Sequence, residues 1–275
     1  MKCNHRLLFL FFVFSFIYSC APKPYAVTNK EYKKQTRALA KIINLPPKDS
    51  LLADSMKLPA NWVGTVNLGL RKPSSVIIHH TAQNSCEQTL KTFTLQKTQV
   101  SAHYVICKDG TLYHMLNDYL RAWHAGAGKW GGQSDINSSS IGIEIDNDGT
   151  AVFTEAQINC LLGLLANLKK TYSIPTANFI GHADITPTRK VDPNVNFPWK
   201  RLADVGFGHW YSDTTGMVVP AEFNAIYALR IIGYDISNIG AATQAFRRHF
   251  LTVEKPGDLT EPEKKVLYVL MKKYL

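Results

Sequence analysis

The sequence lacks several features that would assign the protein to other classes. Lysine and arginine outnumber aspartate and glutamate by 31 to 21, for a formal net charge of +10, but no more than two like charges stand side by side. Nucleic-acid-binding domains usually carry a dense basic cluster, so we expect no nucleic-acid partner. No two cysteines are separated by two residues, which argues against a zinc site built from cysteine pairs. The positive charge instead suits an anionic polymer.

Long hydrophobic runs are also missing, and the one near the amino terminus is short. It extends from Leu7 to Tyr18, after Lys2 and Arg6, whereas a transmembrane helix needs about 20 apolar residues. A basic start followed by such a run is typical of a secretory signal. The run ends in "IYSC", which resembles a lipoprotein signal with Cys20 as the lipidated residue. The alternative is an ordinary signal peptide in which Cys20 is incidental.

These features predict how the start of the chain is used. Residues 1–19 are expected to be a signal peptide, and residues 20–60, which are polar and contain several lysines, a lipid-anchored tether with one helix near 30–43. The protein would then contact a membrane through its lipid anchor only. Ala21 follows Cys20, rather than the aspartate that would suggest inner-membrane retention, so we expect a lipoprotein of the outer membrane that faces the periplasm.

Cysteine is scarce in the rest of the chain. Only Cys86, Cys107 and Cys160 follow the amino-terminal region. In an oxidising compartment, three cysteines allow one disulfide and one free thiol. The sequence leaves the pairing open.

The middle of the chain alternates between strand and helix patterns. Short apolar runs bounded by polar residues indicate strands, Asp109-Gly110 predicts a hairpin turn, and Thr154 followed by Gln157 predicts a capped amphipathic helix. Strands interleaved with helices predict an α/β fold with a mixed central sheet flanked by helices. The expected strands lie in "SSVIIHHTA", "AHYVICKDGTLYHML", "SSSIGIEID" and "TANFIGHADI", and the helices in "CEQTLKTFTLQ" and "TEAQINCLLGLLANLKKTY".

The last part of the chain has a helical pattern. Apolar residues recur at helical spacing in three segments; Asn238 precedes the second, and Thr260 with Glu263 forms a capping box before the third. We therefore predict a larger α/β domain at 61–212 and a small three-helix domain at 213–275. Because so few residues bury only a small core, the helices either form a binding domain or support the larger domain by packing.

Polar residues at the ends of apolar strands suggest a metal site. His79 and His182 each stand at the end of such a strand, and Asp192 follows in the loop after His182. Three protein ligands leave a fourth position open for water, as catalytic zinc requires. The spacing alone is weak support, because no local zinc motif of the HExxH kind is present. An isolated histidine is more often an ordinary hydrogen-bonded residue.

A charged residue within an apolar strand is the second indication of chemistry. Glu144 lies between Ile143 and Ile145, where an unpaired carboxylate is costly. Beside a metal, it could take a proton from water and return it to a leaving amine; strand alternation equally allows an exposed sheet face. Lys190, two residues before Asp192, could stabilise an oxyanion or be a solvated loop lysine.

Taken in order, these segments resemble one known family. They are similar to the type-2 N-acetylmuramoyl-L-alanine amidases, which include amidase-type phage lysozymes and the peptidoglycan recognition proteins. The resemblance runs from Ser75 to Trp210. With the helical end and the lipoprotein-like start, it looks closest to the envelope lipoprotein subgroup that acts on murein and anhydromuropeptides. The segments that carry it are "VIIHHTA", "SAHYVICKDGTLYHML", "RAWHAG", "SIGIEID" and "GHADITPTRKVDP".

The resemblance implies a role for each matching residue. It implies Zn2+ as the cofactor, bound by two histidines and an aspartate, beside a catalytic glutamate and a lysine that polarises the scissile carbonyl. Trp123 and His124 match a part of the family's cleft that meets substrate, and Val191 departs from relatives that often carry a polar residue there. The implied ligands are His79, His182 and Asp192, and the implied catalytic residues are Glu144 and Lys190.

The resemblance also implies an activity. Residues 61–212 would form a zinc amidase that cleaves the amide between N-acetylmuramic (or anhydromuramic) acid and L-alanine, in cell-wall turnover or recycling. Residues 213–275 resemble a peptidoglycan-binding domain, and we expect a monomer whose partners are peptidoglycan and muropeptides. The first alternative is a non-catalytic peptidoglycan-recognition protein, against which the complete set of ligands argues. The second is a different zinc hydrolase, such as a deacetylase, against which the order of motifs argues.

Overall fold

The computed structural model describes residues 23–44 and 65–275. Cys20, the predicted signal peptide and the tether residues 45–60 lie outside this part of the chain. The first described segment contains helix α1 (Ala26–Ile43), which begins four residues before the predicted position. Among the described residues, no helix has both the length and the apolar character needed to cross a membrane.

A mixed sheet organises the chain from Gly69 onward. In the described residues its five strands are ordered β3-β2-β4-β1-β5. Strands β2, β4, β1 and β5 run parallel, and β3 is antiparallel to β2 across the predicted hairpin turn. This sheet confirms the predicted α/β fold. The strands are β1 (Ser75–His80), β2 (Tyr104–Ile106), β3 (Leu112–His114), β4 (Ser140–Ile145) and β5 (Phe179–Gly181).

Helices begin where the sequence supplies capping residues. The Ser85 hydroxyl accepts the Gln88 amide at the start of α2, and Thr154 with Gln157 forms the predicted capping box at the start of α4. These caps satisfy amide groups that have no partner inside the helix. The helices between the strands and up to residue 204 are α2 (Cys86–Thr94), α3 (Ile136–Ser139), α4 (Glu155–Tyr172), α5 (His182–Ile185) and α6 (Trp199–Asp204).

The two faces of the sheet are covered differently. Ile78 and Ile143 point to the face that packs against α4, in the largest apolar cluster. Ile77 and Ile180 point to the other face, against Ala125 and the residues around α3 and α5. Because side chains alternate along a strand, His79 lies on the same face as Ile77. The second face therefore carries the predicted site.

Three helices close the chain, as the sequence predicted. They are α7 (Ala225–Ile232), α8 (Ile239–Phe246), which continues as a π-helical turn over Arg247–Leu251, and α9 (Glu261–Met271). They share an apolar cluster that Trp130 and Trp210 join from outside the bundle. Residues Gly69–Leu275 form one unit by backbone contacts, so the predicted division at 212/213 remains a prediction.

The structure resolves the cysteine pairing that the sequence left open. Cys86, at the start of α2, is bonded to Cys107, at the turn after β2. Cys160 in α4 is a free, partly buried thiol. The disulfide therefore ties the first helix of the unit to the β2–β3 hairpin.

Candidate active site

Strand register places two of the predicted site residues opposite each other. His79 on β1 is the Cα partner of Glu144 on β4 in a parallel pair. Directly paired residues point to the same face of a sheet, so both side chains lie above the second face, near its carboxyl-terminal edge. Irregular loops follow the strands at this edge, and ligand sites of open α/β sheets usually lie there.

The other two predicted ligands come together because a loop folds back on itself. His182 is the first residue of α5, immediately after β5. The Ala183 amide donates to the Asp192 carbonyl at 2.7 Å, which returns the end of the loop to its beginning. The short helix and the irregular loop that follows it thus place Asp192, ten positions after His182, beside that histidine. The short helix also aims His182 over the sheet.

The three predicted ligands form one cluster of donor atoms. His79 Nδ1 lies 2.9 Å from His182 Nδ1 and 3.2 Å from Asp192 Oδ2, and His182 Nδ1 lies 2.9 Å from that same oxygen. All three residues are buried, and they are the one group of this kind among the described residues. Two imidazole nitrogens and a carboxylate oxygen suit a divalent transition metal.

Electrostatics in the cluster favour the forms that bind a metal. Burial, together with the neighbouring His182, lowers the pKa of His79 to about 4, so this imidazole is neutral at pH 7. Burial opposes ionisation of Asp192, but the two imidazoles beside it, His182 and His79, hold the pKa of Asp192 well below its usual value. Neutral imidazoles and an ionised carboxylate are the ligand forms that metal binding needs.

Glu144 carries a shielded oxygen without a protein partner. Its Oε2 atom is inaccessible to solvent and accepts no hydrogen bond. Burial, and then the negative charge of Asp192, raise the pKa of Glu144 well above its usual value. An unsatisfied carboxylate is costly in a stable interior, and a carboxyl group with a raised pKa inside a cleft is a typical proton-transfer group.

These residues line one open cavity of about 410 Å³. Lys190 and Arg189 border it from the loop after α5, beside the exposed Val191. Trp123 also borders it, with 54% of its surface exposed and the Arg121 guanidinium 4.1 Å above its ring. An exposed indole at a cavity mouth offers a flat apolar contact for a ligand.

Trp123 and His124, the two predicted substrate contacts, lie differently. Trp123 faces solvent, whereas His124 is buried behind His79. His124 Nδ1 is 3.0 Å from His79 Nε2, and His124 Nε2 is 3.1 Å from the Ser140 hydroxyl. Both residues border the cavity, and their contact with substrate remains a prediction.

Two features of the site have no signal in the sequence. Asn137 is buried, and its side-chain oxygen accepts the amides of His124 and Ala125. Asp184, inside α5, accepts hydrogen bonds from the Tyr234 hydroxyl, just after α7, and from His249, in the π-helical turn after α8. These partners are 12 to 65 residues apart in the chain, so no local pattern identifies them.

The fold and the site define a class of protein: hydrolases that hold a two-histidine, one-aspartate metal site above a mixed sheet. The chain belongs to the N-acetylmuramoyl-L-alanine amidase family, whose family model matches residues 69–195. It is 30% identical over 230 residues to N-acetylmuramoyl-L-alanine amidase AmiD of Escherichia coli, a match that covers 72% of this chain and 82% of AmiD. The family resemblance read from the sequence is thus confirmed.

Two solved structures share this architecture. AmiD from E. coli, in complex with anhydro-N-acetylmuramic acid-L-Ala-D-gamma-Glu-L-Lys, superposes with a TM-score of 0.67 at 27% identity, over 81% of this chain and 97% of AmiD. AmpDh3 from Pseudomonas aeruginosa, in complex with an anhydromuramic pentapeptide, gives a TM-score of 0.66 at 27% identity, over 80% and 99% of the two chains. Both similarities extend well beyond the residues that the family model matches.

Proposed function

We propose that the protein is a zinc-dependent amidase that cleaves the bond between N-acetylmuramic or anhydromuramic acid and L-alanine in peptidoglycan and its fragments. The observation that carries the proposal is the meeting of His79, His182 and Asp192 with Glu144 in one cavity. The ligands of the two similar solved structures, both anhydromuramyl peptides, support this substrate class. Cell-wall turnover or recycling is the process that such an activity serves.

The residues of the cavity have different roles in the proposed reaction. A zinc ion held by the three donors would supply Lewis acidity and make a water molecule easier to deprotonate. Glu144 takes the proton of the attacking water and later gives it to the departing amine of L-alanine, and its raised pKa suits both transfers. Lys190 borders the same cavity and stabilises the negative charge on the former carbonyl oxygen.

Release of peptide from a soluble anhydromuramyl peptide, followed by mass spectrometry, tests the assignment. We expect activity to disappear with a chelator and return with zinc. Glu144→Gln should lower kcat by about 10²- to 10⁴-fold, the range for a lost general acid-base group. Glu155→Gln is the control, because Glu155 is exposed and pairs with Arg201 on the surface. Undiminished cleavage by Glu144→Gln would contradict the proposal.

We also propose that the protein is an outer-membrane lipoprotein that faces the periplasm. The basic and apolar start, the small residue before Cys20 and the positive net charge support this, since peptidoglycan is an anionic polymer. Labelled palmitate should enter the wild-type protein in cells and not a Cys20→Ala variant. Equal labelling of both proteins, or of neither, would exclude Cys20 as the lipidation site.

The domain division and the oligomeric state complete the proposal. Residues 20–60 would tether a catalytic domain at 61–212, and residues 213–275 would bind peptidoglycan, with the chain acting as a monomer. The helical fold of the last segment and its cluster of packed apolar residues are compatible with this role. Light scattering of the purified protein checks the monomer, and pelleting with whole sacculi checks the binding.

A further inference from the structure

We infer that the dipeptide His124-Ala125 orients both ligand histidines of the proposed metal site. In each of them Nδ1 is left unprotonated, with its lone pair free to bind the metal. His124 supports the ring of His79, and the Ala125 carbonyl supports the ring of His182. The inference rests on the metal site of the proposed function. It gives His124 a positioning role, distinct from the substrate contact that the sequence predicted.

The orientation of His79 follows from a chain of hydrogen bonds that starts at a carbonyl. The Ser140 hydroxyl donates to the Ile136 carbonyl at 2.6 Å, because a carbonyl oxygen only accepts. Its oxygen is then the acceptor for His124 Nε2–H at 3.1 Å. A neutral imidazole protonated at Nε2 has a lone pair at Nδ1. His124 Nδ1 therefore accepts from His79 Nε2–H at 3.0 Å, and His79 Nδ1 keeps its lone pair.

The orientation of His182 is set more directly. Its Nε2 atom lies 3.2 Å from the Ala125 carbonyl oxygen and must be the donor there. The proton is then on Nε2, and Nδ1 is free. The two nitrogens freed in this way, on His79 and His182, are the same two that meet Asp192 Oδ2. The hydrogen bond behind His79 and the hydrogen bond behind His182 thus independently leave Nδ1 free on both rings.

The supporting dipeptide is itself held on two sides. The Asn137 side-chain oxygen accepts both the His124 amide at 3.0 Å and the Ala125 amide at 2.9 Å. The His124 ring lies against the backbone of Gly142, where a Cβ atom would come within 2.4 Å of the ring. Only glycine leaves room for the ring at this point of β4. The His124 ring is therefore packed between the backbone of Gly142 and the ring of His79.

Partners of this kind matter because they fix the tautomer and the direction of a ligand. Loss of an outer hydrogen-bond partner typically weakens metal affinity by about 10- to 100-fold. We therefore expect His124→Leu to bind zinc about 10- to 100-fold more weakly than the wild type. His124→Asn, which keeps an acceptor for His79 Nε2–H, should retain most of the affinity.

A matched pair of serine variants tests the start of the chain. Ser140→Ala removes the acceptor for His124 Nε2–H. Ser139→Ala is the control, because the Ser139 hydroxyl bonds to the Asp135 and Ile136 carbonyls and does not touch His124. We expect weaker zinc binding in the first variant and wild-type binding in the second, measured by competition with a chromophoric chelator. Thermal unfolding of each variant reports whether it is folded.

Nitrogen NMR of histidine-labelled, metal-free protein gives the decisive readout. Long-range proton–nitrogen spectra should show His79, His124 and His182 protonated at Nε2 in the wild type, and a mixed tautomer for His79 in Ser140→Ala. A wild-type His79 protonated at Nδ1, or unchanged zinc affinity in both Ser140→Ala and His124→Leu, would overturn the inference. If His124→Leu does not fold, the serine pair and the spectra decide the matter.

These measurements do not depend on turnover, so the two proposals can fail separately. Zinc binding with the expected tautomers, but no cleavage of anhydromuramyl peptide, would refute the proposed activity and leave this inference standing. Cleavage by a protein whose His79 carries its proton on Nδ1 would refute this inference and leave the activity standing.

Discussion

Single residues of one cavity differ sharply in their surroundings. Glu144 has a shielded oxygen without a partner, whereas Asp192 is engaged by two histidines. The pKa of the Glu144 carboxyl group is thereby raised, as a proton-transfer group would need, and the pKa of Asp192 is lowered, as a metal ligand would need. Two groups of the same chemistry thus have pKa values shifted in opposite directions by their surroundings alone.

Lys190 offers a test of oxyanion stabilisation at this scale. Because the charge on the carbonyl oxygen appears only in the transition state, Lys190→Met should lower kcat by about 10²-fold and leave KM nearly unchanged. Steady-state kinetics on a soluble anhydromuramyl peptide measures both constants. Lys200→Met is the control, since Lys200 pairs with Asp204 on the surface of α6. A rise in KM at constant kcat would make Lys190 a substrate-binding residue instead.

The sequence identified the residues of the cavity that stand out from their local context. His79 and His182 follow apolar strands, and Glu144 interrupts one, so chain pattern alone marks them. Asn137 and Ser140 do not stand out, because polar residues are ordinary near the start of a strand. Their roles depend on contacts with His124 and Ala125, which only the folded chain creates.

At the scale of elements, the sequence predicted structure well where the signal lies within a few residues. It did not predict contacts between residues that are distant in the chain. The Asp109-Gly110 turn and the capping boxes at Thr154 and Thr260 are encoded within four residues, and the structure contains all three. The pairing of Cys86 with Cys107 joins α2 to the hairpin. Such a pairing depends on how the helix docks, which no local pattern specifies.

The disulfide should contribute measurably to stability. Cross-linking residues 21 positions apart restricts the unfolded chain, and the expected contribution is about 3 kcal/mol. The double variant Cys86→Ser/Cys107→Ser should therefore lose about that much free energy of unfolding in urea titrations. Cys160→Ser, which removes the free thiol of α4, should unfold as the wild type does. An unchanged unfolding midpoint in the double variant would contradict this expectation.

The stability of the protein should decrease at acid pH because of Glu263 in helix α9. Burial of Glu263 opposes its ionisation, but the Arg247 guanidinium and the Thr260 amide at the helix start lower its pKa to about 2. A carboxyl group whose pKa is lower in the folded state stabilises the protein above its unfolded pKa. That stability is lost as the pH falls from about 4.5 towards 2.

Substitution of Glu263 tests this dependence. The unfolding temperature of Glu263→Gln should be lower than that of the wild type at pH 7, and the difference should shrink between pH 4.5 and 2. Glu261→Gln is the matched control, because Glu261 pairs with Lys264 on the surface of the same helix. A difference that stays constant over this range would show that the charge of Glu263 is not responsible.

At the scale of the whole molecule, the carboxyl-terminal helices contact the segment that carries a predicted ligand. Asp184 lies two residues after His182 in α5; the Tyr234 hydroxyl donates to it at 2.8 Å, and His249 Nδ1 lies 2.7 Å from it. The His249 ring also stacks on Trp199 at 3.9 Å. The helical end of the chain thus packs against the segment that carries His182, whether or not it also binds peptidoglycan.

Full-length variants at this contact separate the two roles of the helices. Tyr234→Phe leaves the buried Asp184 carboxylate with one hydrogen-bond donor fewer. It should lower the free energy of unfolding by about 2 kcal/mol, as measured in unfolding experiments. It should also weaken zinc binding, as measured by competition with a chelator. Tyr227→Phe is the control, because Tyr227 is 60% exposed on α7. Unchanged stability and zinc affinity, with reduced pelleting on whole sacculi, would instead favour a binding role alone.

The pairing of His79 with Glu144 across two parallel strands has a consequence for how such a protein can diversify. Their separation follows from the spacing of neighbouring strands, about 4.8 Å, and no segment at the cavity mouth contributes to it. The exposed side chains of Trp123 and Val191 can therefore change without altering the spacing of this pair, and with them the choice of sugar and peptide. The spacing of His79 and Glu144 is inherited with the backbone register, while exposed residues at the cavity mouth can change independently of it.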